Sequence, residues 1–348
     1  MKIDKRIISA NHPPFIIAEL SANHNNSIKR TLKLIDEAKR AGADAVKIQT
    51  YTADSMTLNS QSKDFLINDK KSLWNGQYLY QLYKKGSMPL EWHKEIFAMA
   101  KKKKILCFST PFDETAVDFL NKFKVPAFKI ASFENNHFPL IKKIIDKKKP
   151  IIISLGLTKI EDIKDILKIF KKKHYNNFAF LKCTSSYPAL ASDSNLLTIA
   201  DLKKKFNVEV GLSDHTPGIG AAVASVVYGA SIIEKHFTLD KKSGGLDDSF
   251  SIEPDELNNL VIETRRAWES KGKIYYGISK SEKKSLMFKR SIYSCKDIKK
   301  GEKFSKNNLK IVRPGYGILP KYFEEMIGKK ALKNIDEAKP IKKNYYKK

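Results

Sequence analysis

Two histidines, His215 and His236, each close a short apolar run, VEVGLSDH and SIIEKH, in a chain of 348 residues. If these runs are neighbouring parallel strands, their backbones lie about 5 Å apart. Side chains alternate along a strand, so Ser213 and His215 share one face, as do Glu234 and His236. Two imidazoles arriving from adjacent strands can converge on one divalent ion and leave coordination positions open for substrate oxygens. No cysteine adjoins them, and carboxylates and water would complete the shell. The expected ion is therefore hard to borderline, such as Mn2+, Mg2+, Co2+ or Zn2+. The alternative is a pair of hydrogen-bonded core histidines.

A second group of residues points to an anion. Lys47 and Lys129 stand inside apolar β runs (AVKIQ and AFKIA), where a charge is tolerated only at a solvated or compensated position. Around them other runs end in Ser109, Thr110, Ser132, Ser154, Thr184, Ser185 and Ser213. Lysine supplies point charge and hydroxyls supply fixed donors, so a phosphate or phospho-carboxylate is the expected ligand. The competing reading is that each lysine pairs with Glu19 or Glu234 inside the barrel, with no ligand. His24, in the loop after the first run, either touches substrate or caps the helix that follows.

The elements that must position these residues are legible by counting. Apolar runs at 15–20, 45–49, 105–109, 127–131, 151–155, 178–183, 208–212 and 231–236 alternate with segments of helical period such as SIKRTLKLIDEAKRAG and IEDIKDILKIFKKK. Eight such units over about 270 residues predict an α/β fold, a (β/α)8 TIM barrel, whose active site lies at the C-terminal ends of its strands. A doubly wound open sheet is the alternative, but it calls for a Gly-rich first turn that is missing. Residues 51–87 are too many for one connection, so an elaborated loop is expected over the barrel mouth. Its aromatic residues Trp74, Tyr78 and Tyr80 could form an apolar wall for a substrate. After Lys271 the long helical patterns stop. The expected organisation is a barrel over 1–270, a linker over 271–287 and a small β-rich module over 288–348. In the module, Ile298, Gly301, Phe304 and Leu309 are echoed by Ile335, Ala338, Ile341 and Tyr346, as in a unit of two similar halves.

Composition narrows the functional classes. The formal net charge of +27 would suit nucleic acid. Yet only seven of the 65 cations are arginine, and the lysines cluster in runs such as 101–104, 147–149 and 171–173 at the ends of helical segments. There they complement the helix dipole and face water. Three dispersed cysteines, Cys107, Cys183 and Cys295, suit buried thiols rather than a disulfide framework. No apolar run approaches a membrane span, and MKIDKRIISANHPPF lacks the apolar centre of a signal peptide, so a cytoplasmic protein without membrane or nucleic-acid partners is expected.

Read together, the stretches IAELSANHNNS, DAVKIQTYTADSMTLN, STPFD, KIAS, CTSSYPA, GLSDHTPG and EKHFTLD resemble the sialic acid synthase family, the phosphoenolpyruvate-dependent nonulosonic acid synthases. The tail RSIYSCKDIKKGEKFSKNNLKIVRPGYGILPK resembles the family's C-terminal antifreeze-like SAF (β-clip) domain. ELSANHN, SLWNGQYLYQLY and RPGYGILPK resemble the branch whose acceptor is 2,4-diacetamido-2,4,6-trideoxy-L-altrose. The same chemistry on N-acetylmannosamine or a legionaminic precursor is the alternative within the family. From another class, a non-catalytic carbohydrate- or nucleic-acid-binding protein would be expected to have lost some of Lys47, Lys129, His215 and His236.

The resemblance implies roles for particular residues. His215 and His236 become the metal ligands. Lys47, Thr110, Lys129, Ser132, Ser154, Ser185 and Ser213 bind phosphoenolpyruvate. Glu19, Tyr187 and Asp247 serve the acceptor sugar and the chemistry, with Glu19 or Asp247 as the base. Arg313 reaches the sugar from a partner subunit, which implies a domain-swapped homodimer. Two departures stand out: Asn26 replaces the Gly of an NHNG pattern, and Ser185 replaces an Asn.

Overall fold

In the computed structural model, which describes residues 1–347, eight parallel strands close into a barrel in chain order. They are β1 (Phe15–Glu19), β2 (Ala45–Thr50), β3 (Leu106–Pro111), β4 (Phe128–Ile130), β5 (Ile151–Ser154), β6 (Phe178–Cys183), β7 (Glu209–Asp214) and β8 (Ile232–His236). The barrel shuts where β8 pairs with β1, His236 opposite Glu19. Each strand leads to a helix of the outer ring: α1 (Ile28–Arg40), α2 (His93–Lys103), α3 (Glu114–Lys122), α4 (Phe138–Asp146), α5 (Ile160–Lys172), α6 (Leu197–Phe206), α7 (Gly220–Val227) and α8 (Pro254–Ser270). The eight apolar runs read from the sequence are these strands to within a residue or two, because each is buried on both faces and so carries a continuous apolar signal.

The alternation along the strands separates two cores. Ile16, Val46, Ile48, Phe128, Ile153, Phe180, Leu212 and Ile233 face outward and pack under the helices. Phe15, Ile17, Ala45, Phe108, Ala127, Ile152, Ala179, Leu181 and Ile232 fill the barrel's interior. Ile3 and Ile8 join that inner cluster from the N-terminal hairpin, in which Lys2–Ile3 pairs with Arg6–Ile7. The Lys2 N–H donates to Asn177 just ahead of β6, so the hairpin closes the barrel floor. One inward step further along the strands, the residues turn polar: Glu19, Lys47, Thr110, Lys129, Ser154, Ser213 and Glu234, all buried. Hydrophobic layers below and a closed wall around leave this polar layer only the C-terminal mouth. Gly211 lets β7 and β8 approach, since a Cβ there would stand 2.3 Å from the Ile232 carbonyl oxygen.

The long connection from β2 to α2 is built, not slack. It holds a short helix, Ala53–Met56, an antiparallel bridge between Leu66 and Tyr78, and a further helix, Leu79–Gly86. The lysine runs fall where the helix dipole favours them: Lys101, Lys102 and Lys103 occupy the last turn of α2, and Lys171 and Lys172 that of α5.

A second compact unit begins at Lys273. The segment Glu282–Phe288 forms a 3-10 turn, and the Met287 carbonyl accepts from the Gly315 N–H. The sequence echo here is a structural repeat. Ser294 pairs with Leu309, and their counterparts Ala331 and Tyr346 pair in the same way. Tyr293 bridges Pro340, and the counterparts exchange roles in the Lys303–Lys330 bridge. Ile298 and Ile335 bond each other reciprocally at 2.8 Å, which places them on a local two-fold axis. Gly301 and Ala338 both adopt the left-handed conformation, φ 87° and 59°. Ile298, Phe304, Leu309, Ile335, Ile341 and Tyr346 share one small core. Among the described residues no helix is long and apolar enough to cross a membrane.

Candidate active site

The mouth of the barrel holds a charge-balanced layer. Lys47 Nζ lies 2.5 Å from Glu19 Oε2 and 3.7 Å from Glu234 Oε1. Lys129 Nζ lies 3.4 Å from the same Glu234 oxygen. Both lysines therefore make the carboxylate pairs that sequence reasoning set against an anion site. They are also aimed at the hydroxyls expected to bind the anion: Lys47 donates to Thr110 Oγ1 at 3.1 Å and Lys129 to Ser154 Oγ at 2.7 Å. Ser213 Oγ donates to Glu234 Oε1 at 3.3 Å. Burial raises the pKa of Glu19 against the opposing pull of Lys47. Glu234 is equally buried, but Lys129, Lys47 and His215 outweigh that and hold its carboxyl below the usual range.

Beside Lys129, Ser132 and Ser185 converge on the turn after β5. A Cβ on Gly156 would stand 2.0 Å from Ser185 Oγ and 2.6 Å from Ser132 Oγ, so only glycine permits this approach. The Gly156 N–H donates to Ser132 Oγ at 3.0 Å. Asn135 fixes the turn from behind, its amide donating to the carbonyls of Ser154 and Gly156 and to Thr158 Oγ1. The structure thus gathers Lys129, Ser132, Ser154 and Ser185 into one donor-rich cluster beside Lys47 and Thr110, suited to an oxyanion.

The two imidazoles meet as the strand arithmetic required. The ring centroids of His215 and His236 are 5.3 Å apart. His215 Nδ1 donates to the Thr184 carbonyl at 2.9 Å, which fixes the ring and directs its Nε2 lone pair elsewhere. Burial lowers the pKa of His215, yet its bonds to Cys183 and Thr184 leave it raised overall. His236 is held well below the ordinary histidine value by burial and by the neighbouring His215 and Lys47 charges. Its Nδ1 is buried without a hydrogen-bond partner, 3.9 Å from Asp247 Oδ2. Glu234 Oε2 is likewise buried and unpartnered. No cage of three or more His, Cys, Asp or Glu side chains forms among the described residues. The unpartnered His236 Nδ1 offers one free lone pair, and His215 offers a second at Nε2 once it gives up its proton; two such ligands fit a divalent ion that keeps open positions, rather than a closed structural site.

Asp247, from the loop after β8, is pinned above this pair. It accepts from Ser21 Oγ at 2.5 Å, and burial raises its pKa. Tyr187 lies against the histidines, its ring centroid 4.4 Å from that of His215 at a 41° tilt and 6.1 Å from that of His236, edge-on. Of the three loop aromatics, only Trp74 comes here, 5.9 Å from the Tyr187 ring and bonded through Nε1 to the Leu246 carbonyl. Tyr80 turns away to Asp54, and Tyr78 serves the backbone bridge to Leu66. His24 is a clasp: its Nδ1 accepts from the Asn26 N–H and its Nε2 donates to the Gly86 carbonyl, tying the first loop to the helix Leu79–Gly86. Asn26 takes the left-handed conformation, φ 52°, that its place in the pattern required.

Gln49, a polar strand-end residue that the sequence leaves without a role, and Ser21, which it does not single out, belong to the site. Gln49 donates to Glu19 Oε1 and to Ser21 Oγ at 3.1 and 3.0 Å, and Ser21 links Glu19 to Asp247 through its N–H and hydroxyl. Gln49 shares the inward face of β2 with Lys47, a parity visible in the sequence. Ser21 lies past the end of β1, where alternation gives no signal. Arg313 lies on the second unit, exposed, just after the strand Leu309–Val312.

A closed parallel barrel with a polar, compensated mouth defines a (β/α)8-barrel enzyme. The NeuB family model matches residues 34–276 and the SAF domain model residues 289–344. A pseudaminic acid synthase of Campylobacter jejuni is 48% identical over 330 residues, 95% of this chain and 96% of that protein. An N,N'-diacetyllegionaminic acid synthase of Campylobacter jejuni is 39% identical over 330 residues, 94% of this chain and 98% of that protein. The crystal structure of N-acetylneuraminic acid (sialic acid) synthetase from Leptospira borgpetersenii, in complex with citrate, has a TM-score of 0.73 at 33% identity, covering 82% of this chain and 94% of that one. The chain belongs to the NeuB family and carries a SAF domain after its barrel.

Proposed function

We propose that the chain condenses phosphoenolpyruvate with 2,4-diacetamido-2,4,6-trideoxy-L-altrose and water, releasing pseudaminic acid and phosphate in the cytoplasm. The observation that carries the acceptor is the 48% identity to a pseudaminic acid synthase over nearly the whole of both chains. Support for the chemistry comes from the two lysines set among hydroxyls beside the histidine pair.

Lys47, Thr110, Lys129, Ser132, Ser154, Ser185 and Ser213 hold the phosphate and carboxylate of phosphoenolpyruvate. Glu19 and Glu234 already balance the two lysines, so a phosphate of about −2 at neutral pH plus a carboxylate leaves net negative charge in a buried layer. His215 and His236 would hold a counter-cation against that excess, with Mn2+ as the foremost choice. When bound, such an ion supplies Lewis-acid polarisation of the acceptor's aldehyde. The chain's own groups do the rest. Tyr187, with Trp74 behind it, presents an aromatic surface beside the histidines, which suits the methyl group of a 6-deoxy sugar. Ser132 and Ser185, converging on Gly156, restrain the phosphate while the enol carbon attacks the aldehyde. Glu19, its carboxylate oriented by Gln49 and Ser21, takes a proton from the water that adds to the resulting cationic carbon. Asp247 is the alternative base. The tetrahedral carbon then expels phosphate by C–O cleavage as its hydroxyl becomes the ketone; of the two protons that the added water gives up, one goes to the former aldehyde oxygen and one to the departing phosphate, and the lysines offset the departing charge. Arg313 completes the sugar site from a second copy of the chain, in a domain-swapped homodimer.

Incubating the chain with phosphoenolpyruvate, Mn2+ and each of three acceptors tests this directly. The expected result is sugar-dependent phosphate release and a nine-carbon 2-keto acid by mass spectrometry from the 6-deoxy-L-altrose acceptor. Preferential turnover of N-acetylmannosamine or of the legionaminic precursor would reassign the substrate.

A further inference from the structure

We infer that the buried Asp214–Lys235 ion pair is a positioning brace that sets the spacing of His215 and His236. This inference rests on the reading of those histidines as ligands of a divalent ion. Asp214 and Lys235 are register partners on β7 and β8, each one residue ahead of a histidine. They face away from the barrel interior, and both are almost fully buried, 3% and 1% exposed. Lys235 Nζ donates to Asp214 Oδ2 at 2.8 Å and to the Thr216 carbonyl at 2.6 Å. The other carboxylate oxygen, Asp214 Oδ1, accepts from the Thr216 N–H at 2.9 Å and its hydroxyl at 2.8 Å.

His215 is thus enclosed between two anchored neighbours. Residue 214 holds residue 216 through the carboxylate, and Lys235 holds both from the next strand. Because Lys235 directly precedes His236, the same ammonium ties one imidazole's turn to the other's strand. The Thr184 carbonyl fixes the His215 ring from the opposite side. A buried ion pair contributes little net stability compared with apolar residues of similar size, since desolvation cancels much of its attraction. What it supplies at this position is direction: the hydrogen bonds to Thr216 need one geometry, and that geometry carries the two rings. Neither side chain touches the mouth, so both are positioning residues.

The experiment compares metal-stripped full-length wild type with Lys235→Met, Lys235→Arg and Asp214→Asn. Mn2+ binding is measured by electron paramagnetic resonance, thermal unfolding by calorimetry, and kcat and KM by phosphate release. Lys235→Met is expected to weaken Mn2+ binding by about tenfold to a hundredfold, the range seen when a partner of a metal ligand is removed. In it kcat should fall, with KM for phosphoenolpyruvate within about threefold of wild type. Lys235→Arg should recover most of the affinity, and Asp214→Asn should fall between. If Lys235→Met does not fold, the Arg and Asn variants decide. Unchanged Mn2+ affinity in folded variants would overturn the brace while leaving the metal site standing. Absence of Mn2+ binding by wild type would overturn the metal reading itself, before any variant is considered.

Discussion

Lys129→Met is expected to lower kcat/KM for phosphoenolpyruvate by about a thousandfold, close to 4 kcal/mol of transition-state stabilisation. Methionine fills nearly the same volume, so the barrel should fold. What is lost is the cation 2.7 Å from Ser154 Oγ and 3.4 Å from Glu234. Glu234 would keep Lys47, at 3.7 Å, and His215, but without Lys129 its carboxyl would take up a proton more readily. Lys47→Met should be comparably damaging and differ in its pH dependence. Lys47 is the chief force opposing the burial that raises Glu19. Removing it sends the Glu19 pKa higher still. If Glu19 must be ionised to act as a base, the acid limb of the rate profile moves to higher pH in Lys47→Met and much less in Lys129→Met. Steady-state phosphate release across pH separates the two, and identical profiles would remove Glu19 from the role of base.

His215→Ala and His236→Ala are expected to reduce turnover by about a thousandfold or more, in keeping with the several kcal/mol a Lewis acid contributes. Both should remain folded, because the hydrophobic layers of the barrel lie below them. His236 has no hydrogen bond to lose at Nδ1, so its truncation leaves no orphaned partner. Treating wild type with EDTA should have the same effect as either substitution, and Mn2+ should restore wild type only. Full turnover by a chelator-treated preparation, checked for residual metal, would refute a metal-dependent reaction at this pair.

The sequence made the scaffold readable because the strands of a closed barrel are buried on both sides, and FIIAE, IIIS or FAFLKC can do little else. Strand parity then placed Ser213, His215, Glu234 and His236 on one inward face, and the structure has their side chains together. The repeat in the second unit was visible because core positions recur at a constant offset. Partner choice within the mouth was less accessible. Parity shows that Lys47 and Lys129 face inward, but not that Glu234 is shared between them. Trp74 could not be told from Tyr80, since the loop's own fold decides which aromatic reaches Tyr187. Strand parity puts Asp214 and Lys235 on the face opposite the histidines and assigns them no partner. Their pairing follows from register between β7 and β8, which no local pattern records.

Phosphoenolpyruvate carrying 18O in the bridging C–O–P position tests the central claim most directly. Condensation at this mouth by C–O cleavage predicts that, with the 6-deoxy acceptor and Mn2+ present, the label leaves in inorganic phosphate and a nine-carbon 2-keto acid accumulates in equal amount. Unlabelled phosphate, or phosphate released at the same rate without any sugar, would contradict it.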